Sequence, residues 1–195
     1  GLKFASGADF LIVLNGTDQS VMLTDVYYDV FQYQYSVQNK MVDVIEHQTE
    51  KNSGVFTEIF AAMSRGIVLP ETGESIPFSK FDAGKLTYGI ADPNSEAYNS
   101  LADFYAGNGV VELRIPWLLF NVRDPGTKNI IADWNVTSAV TGETIESFAF
   151  AVCPAESAET VPFGGYSWES WDLPTYHERL KKSYTIVQEY FSALP

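Results

Sequence analysis

Apolar and polar residues alternate in several short stretches of the chain, and apolar residues recur every third or fourth position at its end. Asp9–Asn15 is an apolar run closed by Asn15-Gly16, which predicts a buried strand and a turn. Val26–Val37 is β-branched and aromatic. From Phe31 onward, Phe31, Tyr33, Tyr35 and Val37 alternate with Gln32, Gln34 and Ser36, so a two-faced strand is predicted there. Further strands are predicted near Met41–Gln48 and Val55–Ala62, separated by the turn-forming Lys51–Gly54. The clearest local signal is a hairpin. Leu101–Ala106 leads into Gly107-Asn108-Gly109, whose Asn-Gly supplies the positive φ of a tight turn, and Val110–Ile115 leads out. Val111, Leu113 and Ile115 share one side of the outgoing strand, Glu112 and Arg114 the other, and Pro116 ends it because it has no N–H for a ladder. Thr144–Val152 predicts a last strand with Phe148, Phe150 and Val152 on one side.

The period then changes. Tyr176, Leu180, Tyr184, Val187, Phe191 and Leu194 are spaced 4, 4, 3, 4 and 3 residues apart, the stripe of an amphipathic helix. Thr175 and Glu178 form a capping box at its start, with Pro174 just before. Pro154–Leu173, rich in Ser, Glu, Gly and Pro, reads as a connector laid over the surface.

Charge removes several function classes. The chain has 195 residues, 25 acidic against 12 basic, and a net charge of -13. Such an excess repels nucleic-acid phosphates and anionic lipid heads. No apolar run is long enough to span a bilayer. The first residues lack a signal peptide's basic-then-apolar pattern, and the start at Gly1 suggests a piece excised from something longer. One cysteine can form neither an internal disulfide nor a zinc cluster, and Cys153 reads as a small buried hydrophobe. His47 and His177 are too few for a His-rich metal site. No cofactor is expected, although the wealth of carboxylates keeps calcium open.

Catalytic motifs are sparse. Asp25, Asp29, Asp43, Glu46, Asp82, Asp92, Asp103 and Asp133 are scattered, without the alternating Asp/Asn spacing of a calcium loop, and solvated strand faces and turns account for most of them. There is no Gly-x-Ser-x-Gly elbow and no phosphate-cradling Gly loop. Leu69-Pro-Glu-Thr-Gly73 matches the sortase recognition pattern, but polar, turn-forming residues follow it where a sorting signal has an apolar span, so it reads as a loop. The sequons at Asn15 and Asn135 carry no weight.

Aromatics are the class in excess: 4 Trp, 11 Tyr and 13 Phe make up 14% of the chain. Rings lying flat on a surface stack on the apolar faces of sugars. The densest polar-aromatic cluster holds Tyr166, Trp168, Trp171 and Asp172, with Tyr176 beyond it. These five are the candidate ligand residues. A purely structural reading has Trp168 and Trp171 pinning the connector to the sheet, and the sequence favours it somewhat.

Val111-Glu-Leu-Arg-Ile-Pro-Trp-Leu-Leu119 resembles the E-x-x-I-P-W-x-x-L segment of family 9 carbohydrate-binding modules and the related DOMON-type β-sandwiches. Gly7–Asn15, Ala91–Ser95, Tyr98–Phe104, Arg114–Trp117 and Tyr176–Tyr184 are similar to the C-terminal region of large, uncharacterised bacterial envelope proteins. The resemblance implies a mainly β fold, an antiparallel β-sandwich of jelly-roll or immunoglobulin-like type with a C-terminal α-helix packed on it. Residues 1–153 would form the sandwich, and 154–195 the connector and helix of the same domain. Relatives open with two or three strands before the Gly-Ala-Asp-Phe segment, whereas Leu2–Ser6 alone precede it here, so a missing edge and a homodimer through it are expected. In those relatives two tryptophans clamp a terminal sugar and calcium supports the fold; Trp117 matches the structural corner and neither clamp. The implied function is a non-catalytic, extracellular or envelope-associated accessory module that binds polysaccharide or oligosaccharide beside neighbouring domains of its parent chain. The alternatives are a structural buttress for a catalytic domain and, less favoured, a carboxylate-based glycoside hydrolase.

Overall fold

The computed structural model describes residues 3–154, 160–172 and 181–194. The chain starts with β1 (Lys3–Phe4), β2 (Phe10–Val13) and β3 (Val21–Asp25). Helical turns follow: a 3-10 turn at Val26–Tyr28, α1 (Val30–Tyr33) and a π-turn at Gln34–Gln38. Next come β4 (Phe56–Glu58), β5 (Phe60–Ser64), β6 (Ile67–Val68), β7 (Ser75–Ile76) and β8 (Ser79–Asp82). The hairpin of β9 (Phe104–Gly107) and β10 (Val110–Leu113) leads through a 3-10 turn, Trp117–Phe120, to β11 (Val122–Asp124) and β12 (Asn129–Ile131). The last elements are α2 (Trp134–Thr137), β13 (Gly142–Thr144), β14 (Phe148–Phe150), β15 (Thr160–Val161), β16 (Gly164–Tyr166) and α3 (Lys182–Ser192).

The fold is mainly β and its ladders are antiparallel, apart from β1–β15 and isolated bridges. The sheets are small. Two have three strands, β2-β3-β4 and β11-β12-β13, and the pairs β5–β8, β6–β7, β9–β10 and β14–β16 have two each. One core gathers Met22, Ile59, Leu86 and Phe104, with Phe10, Ile12, Phe31 and Phe120 against it. A second gathers Val30, Tyr33 and Trp134, and Phe31 touches both. The segment after β8 closes on β3 and on the residue before β5: Met22 N donates to Gly84 O at 2.7 Å, and Gly84 N donates to Ile59 O at 2.9 Å.

Local chemistry explains where strands form and where they do not. The predicted hairpin is present: Gly107 pairs with Val110, and the turn is Asn108-Gly109 with φ of 53° and 77°. Val26–Val37 is helical instead of extended. Asp25 Oδ1 accepts from Tyr27 N at 3.0 Å, and Asp29 Oδ1 accepts from Gln32 N at 2.8 Å, so two carboxylates cap successive helical turns. The same aromatics that alternate also fit helical spacing, with Phe31 against Tyr35 one turn on. Met41–Gln48 forms bends and turns, not a strand. The predicted Val55–Ala62 strand is divided at Ile59: β4 pairs with β3, and β5 with β8. Thr144–Val152 is likewise split between β13 and β14, which lie in different sheets.

One further expectation holds and two change. Leu69–Gly73 is a loop as predicted, and it caps the β6–β7 hairpin, with Gly73 N donating to Leu69 O at 2.8 Å. Cys153 is half-buried, not buried. The helix α3 forms but does not pack on the sheets: from 181 to 194 every side chain described is exposed. Ile186 and Tyr190 border its Tyr184-Val187-Phe191-Leu194 stripe and widen one apolar face, and that whole face is exposed.

Candidate functional site

The candidate aromatic residues are placed by a two-stranded ladder and a turn. β14 and β16 pair so that Phe148 lies opposite Tyr166 and Phe150 opposite Gly164. Side chains two apart on a strand share a face, which puts Phe148, Phe150 and Tyr166 together. Gly164-Gly165 leaves the opposing positions bare, so Tyr166 reaches Phe150 at 6.1 Å, edge to face. Glycine-rich β16 is part of a sheet, so the segment from 160 to 172 is more than a surface connector.

Trp168 is the hub. It stacks with Phe148 at 5.5 Å and 19°, and with Tyr166 at 6.1 Å and 23°. Trp117, from the 3-10 turn after Pro116, approaches it at 5.1 Å. Phe120 from the same turn contacts Phe148 at 5.8 Å and Phe10 at 5.6 Å, which joins this cluster to the main core. The Trp168 indole N–H donates to Pro125 O at 2.7 Å, and the Lys128 ammonium lies 5.8 Å from its ring centre. Near-parallel rings cover much of the Trp168 faces, so its role in the arrangement is support.

The turn that receives Trp168 is built by Asp124. Its carboxylate accepts from Gly126 N at 2.9 Å and from Thr127 Oγ1 at 2.8 Å, an Asx turn that presents Pro125 O and Gly126 O outward. Trp171 N donates to that Gly126 carbonyl at 2.9 Å. A side chain at Gly126 would run into the Trp171 indole, so the glycine is needed for the close approach.

Of the five candidate residues, Tyr166, Trp168 and Trp171 are thus brought to one place. Tyr166 is 51% exposed and Trp171 40% exposed, whereas Trp168 is half-buried. Asp172 is exposed beside Trp171. Tyr176 lies outside the described residues. Sequence reading missed Phe148, Trp117 and Lys128 as parts of the cluster. Their distance along the chain hides the first two, but Asp124-Pro-Gly-Thr-Lys128 is a legible turn that sets a cation near its end.

The scattered carboxylates are mostly spent on backbone. Asp25 holds Tyr27 N and Gly54 N, Asp82 holds Gly84 N and Lys85 N, and Asp103 holds Thr87 N. Asp29 is 2% exposed and accepts from Gln32 N and from Thr57 Oγ1 at 3.2 Å. Burial raises its pKa to about 6, against the lowering effect of those bonds. Among the described residues no three His, Cys, Asp or Glu side chains converge as a metal site would require. Asn135, the second sequon, donates through Nδ2 to Tyr27 O at 3.3 Å.

No family model, curated protein or solved structure matches this chain.

Proposed function

We propose that the chain is a non-catalytic accessory module of a larger bacterial surface or envelope protein, and that it binds or positions carbohydrate. The observation that carries this reading is the pair of exposed rings, Tyr166, which stacks on the half-buried Trp168, and Trp171, which is held at the same Asp124 turn that receives Trp168. A saccharide would lie against those two rings, with Asp172 and Lys128 beside them as hydroxyl partners. In this reading the small sheets belong to a β-sandwich of the carbohydrate-binding type that Val111–Leu119 resembles. A glycan array probed with the intact chain tests it. Binding to at least one saccharide class supports the reading, and no binding to plant, bacterial or host glycans removes it.

A second reading, an interaction module that buttresses a neighbouring domain, draws on surface area. The chain exposes 13884 Å². A compact monomer of its mass exposes about 9,200 Å². Large apolar side chains are among the exposed residues, including Met63, Phe81, Leu101 and, on α3, Ile186, Val187 and Phe191. A module of this kind binds no glycan and loses exposed apolar area when its partner is present.

A further inference from the structure

The strands β5 and β6 run on into one another, as do β7 and β8, forming one arm that ends in the Leu69–Gly73 turn. β8 pairs only with β5, and its four residues are all exposed. Among the described residues no backbone hydrogen bond reaches its far edge. Natural sheets normally blunt such an edge with a guarding charge, a proline or a cover. Here the one cation on β8, Lys80, is turned back across β5. It pairs with Glu58, and its ammonium lies 5.0 Å from the Phe60 ring centre.

The pairing with β5 fixes which groups of β8 face outward. Ala62 N donates away from β8, to Tyr35 Oη at 3.1 Å, and Ala83 N donates to Ile59 O at 2.9 Å. Hydrogen-bonded and non-hydrogen-bonded pairs alternate along an antiparallel ladder. Ile59–Ala83 and Ala61–Phe81 are therefore the bonded pairs, so Lys80 and Asp82 turn their N–H and C=O groups to the open edge.

We infer that this edge self-associates: a second copy of the chain pairs its own β8 antiparallel to it, about a two-fold axis at Phe81. Outward groups must meet outward groups, which leaves only registers centred on Lys80, Phe81 or Asp82. The first sets two lysines directly opposite and the last two aspartates, and like charges across a ladder are unfavourable. Centring on Phe81 sets each Lys80 opposite an Asp82 and gives both pairs two backbone hydrogen bonds. It also brings the two Phe81 rings together at the closest type of strand pair. Phe81 is 61% exposed in the single chain, and Met63, 68% exposed, lies on β5 next to Ala61, the residue paired with Phe81. The result is one four-stranded sheet with an isologous interface. The net charge of -13 on each copy opposes approach. Association is therefore weak and strengthens as salt screens that repulsion.

The test is a cysteine cross-link on the intact chain in a Cys153→Ser background, with no glycan present. Phe81→Cys places two thiols across the axis, and they should oxidise to a covalent dimer about tenfold faster or more than those of the exposed but distant Leu101→Cys, because pairing raises their effective concentration. Lys80→Pro removes an outward N–H without touching the β5 pairing. It should leave a folded chain, and placed with Phe81→Cys it should bring the rate down to that of Leu101→Cys. Sedimentation of the wild-type chain should show a dimer fraction that rises with salt. Equal cross-linking of Phe81→Cys and Leu101→Cys overturns the proposal, as does a dimer fraction unaffected by Lys80→Pro.

Discussion

The Tyr27 hydroxyl donates to the Asp133 carboxylate at 2.6 Å, joining positions 106 residues apart. Two amides reinforce the join. Asn121 Nδ2 donates to Tyr28 O at 2.9 Å, and Asn135 Nδ2 donates to Tyr27 O at 3.3 Å. The helical turns after β3 are thereby fastened to α2 and the 3-10 turn that carries Trp117. Burial, and then the bond to Asp133, push the Tyr27 phenol up to about 12, so it remains a donor throughout the physiological range.

Removing that donor should be felt. Tyr27→Phe keeps the ring and leaves one Asp133 oxygen without its partner, at a cost of about 1–3 kcal/mol. The urea midpoint at neutral pH measures it. In a double-mutant cycle with Asp133→Asn the two costs should be less than additive, since both remove one interaction.

Asp29 should give the fold a pH signature of its own. Its folded pKa is raised to about 6 from the ordinary 3.8. The folded state therefore holds this proton more tightly than the unfolded chain does. Its contribution is fully present below pH 4 and is lost as pH rises through 6, by at most about 3 kcal/mol. Asp29→Asn keeps an oxygen for Gln32 N and cannot titrate. The stability of the variant relative to wild type should rise between pH 4 and 6 and level off above, which chemical denaturation at a series of pH values would show. A constant difference contradicts the assignment.

At Gly84 two backbones approach closely. A Cβ there would collide with the Met22 carbonyl, which is fixed in the core. Gly84→Ala should cost roughly 2–3 kcal/mol, an overpacking penalty, and lower the thermal midpoint. Gly165→Ala, with open space around it, should cost far less and serves as the control.

What was legible in the chain and what was not follows from the range of the forces involved. The Asn108-Gly109 hairpin is local: a turn that needs positive φ at two residues and supplies them from Asn-Gly. The helical turns at Val30–Gln38 were hidden because Phe31, Tyr33 and Tyr35 satisfy a period of two as readily as a turn of helix. Asp29 three residues before Gln32, a cap signature, was the available clue. Trp168 and Trp171 were legible as a cluster with Tyr166, but not the division of labour among them. That division depends on Phe148, Trp117 and the Asp124 turn, contacts that no local pattern encodes. The apolar stripe of α3 was also legible, but a stripe does not specify what it packs against.

The cluster predicts an asymmetry among its tryptophans. Trp168→Ala removes a ring packed against three others and the bond to Pro125 O, so it should destabilise the chain by about 3–5 kcal/mol. Tyr166→Ala and Trp171→Ala remove more exposed rings and should cost clearly less. Denaturant midpoints for the three variants check the order, and equal losses contradict a hub at Trp168.

The most direct measurement of the proposed function is affinity electrophoresis of the folded variants through gels containing the polysaccharide identified on the array. Wild type should be retarded, and Tyr166→Ala and Trp171→Ala should each migrate as they do without polysaccharide, with circular dichroism unchanged. Wild-type retardation by both variants would contradict the exposed rings as the saccharide contact.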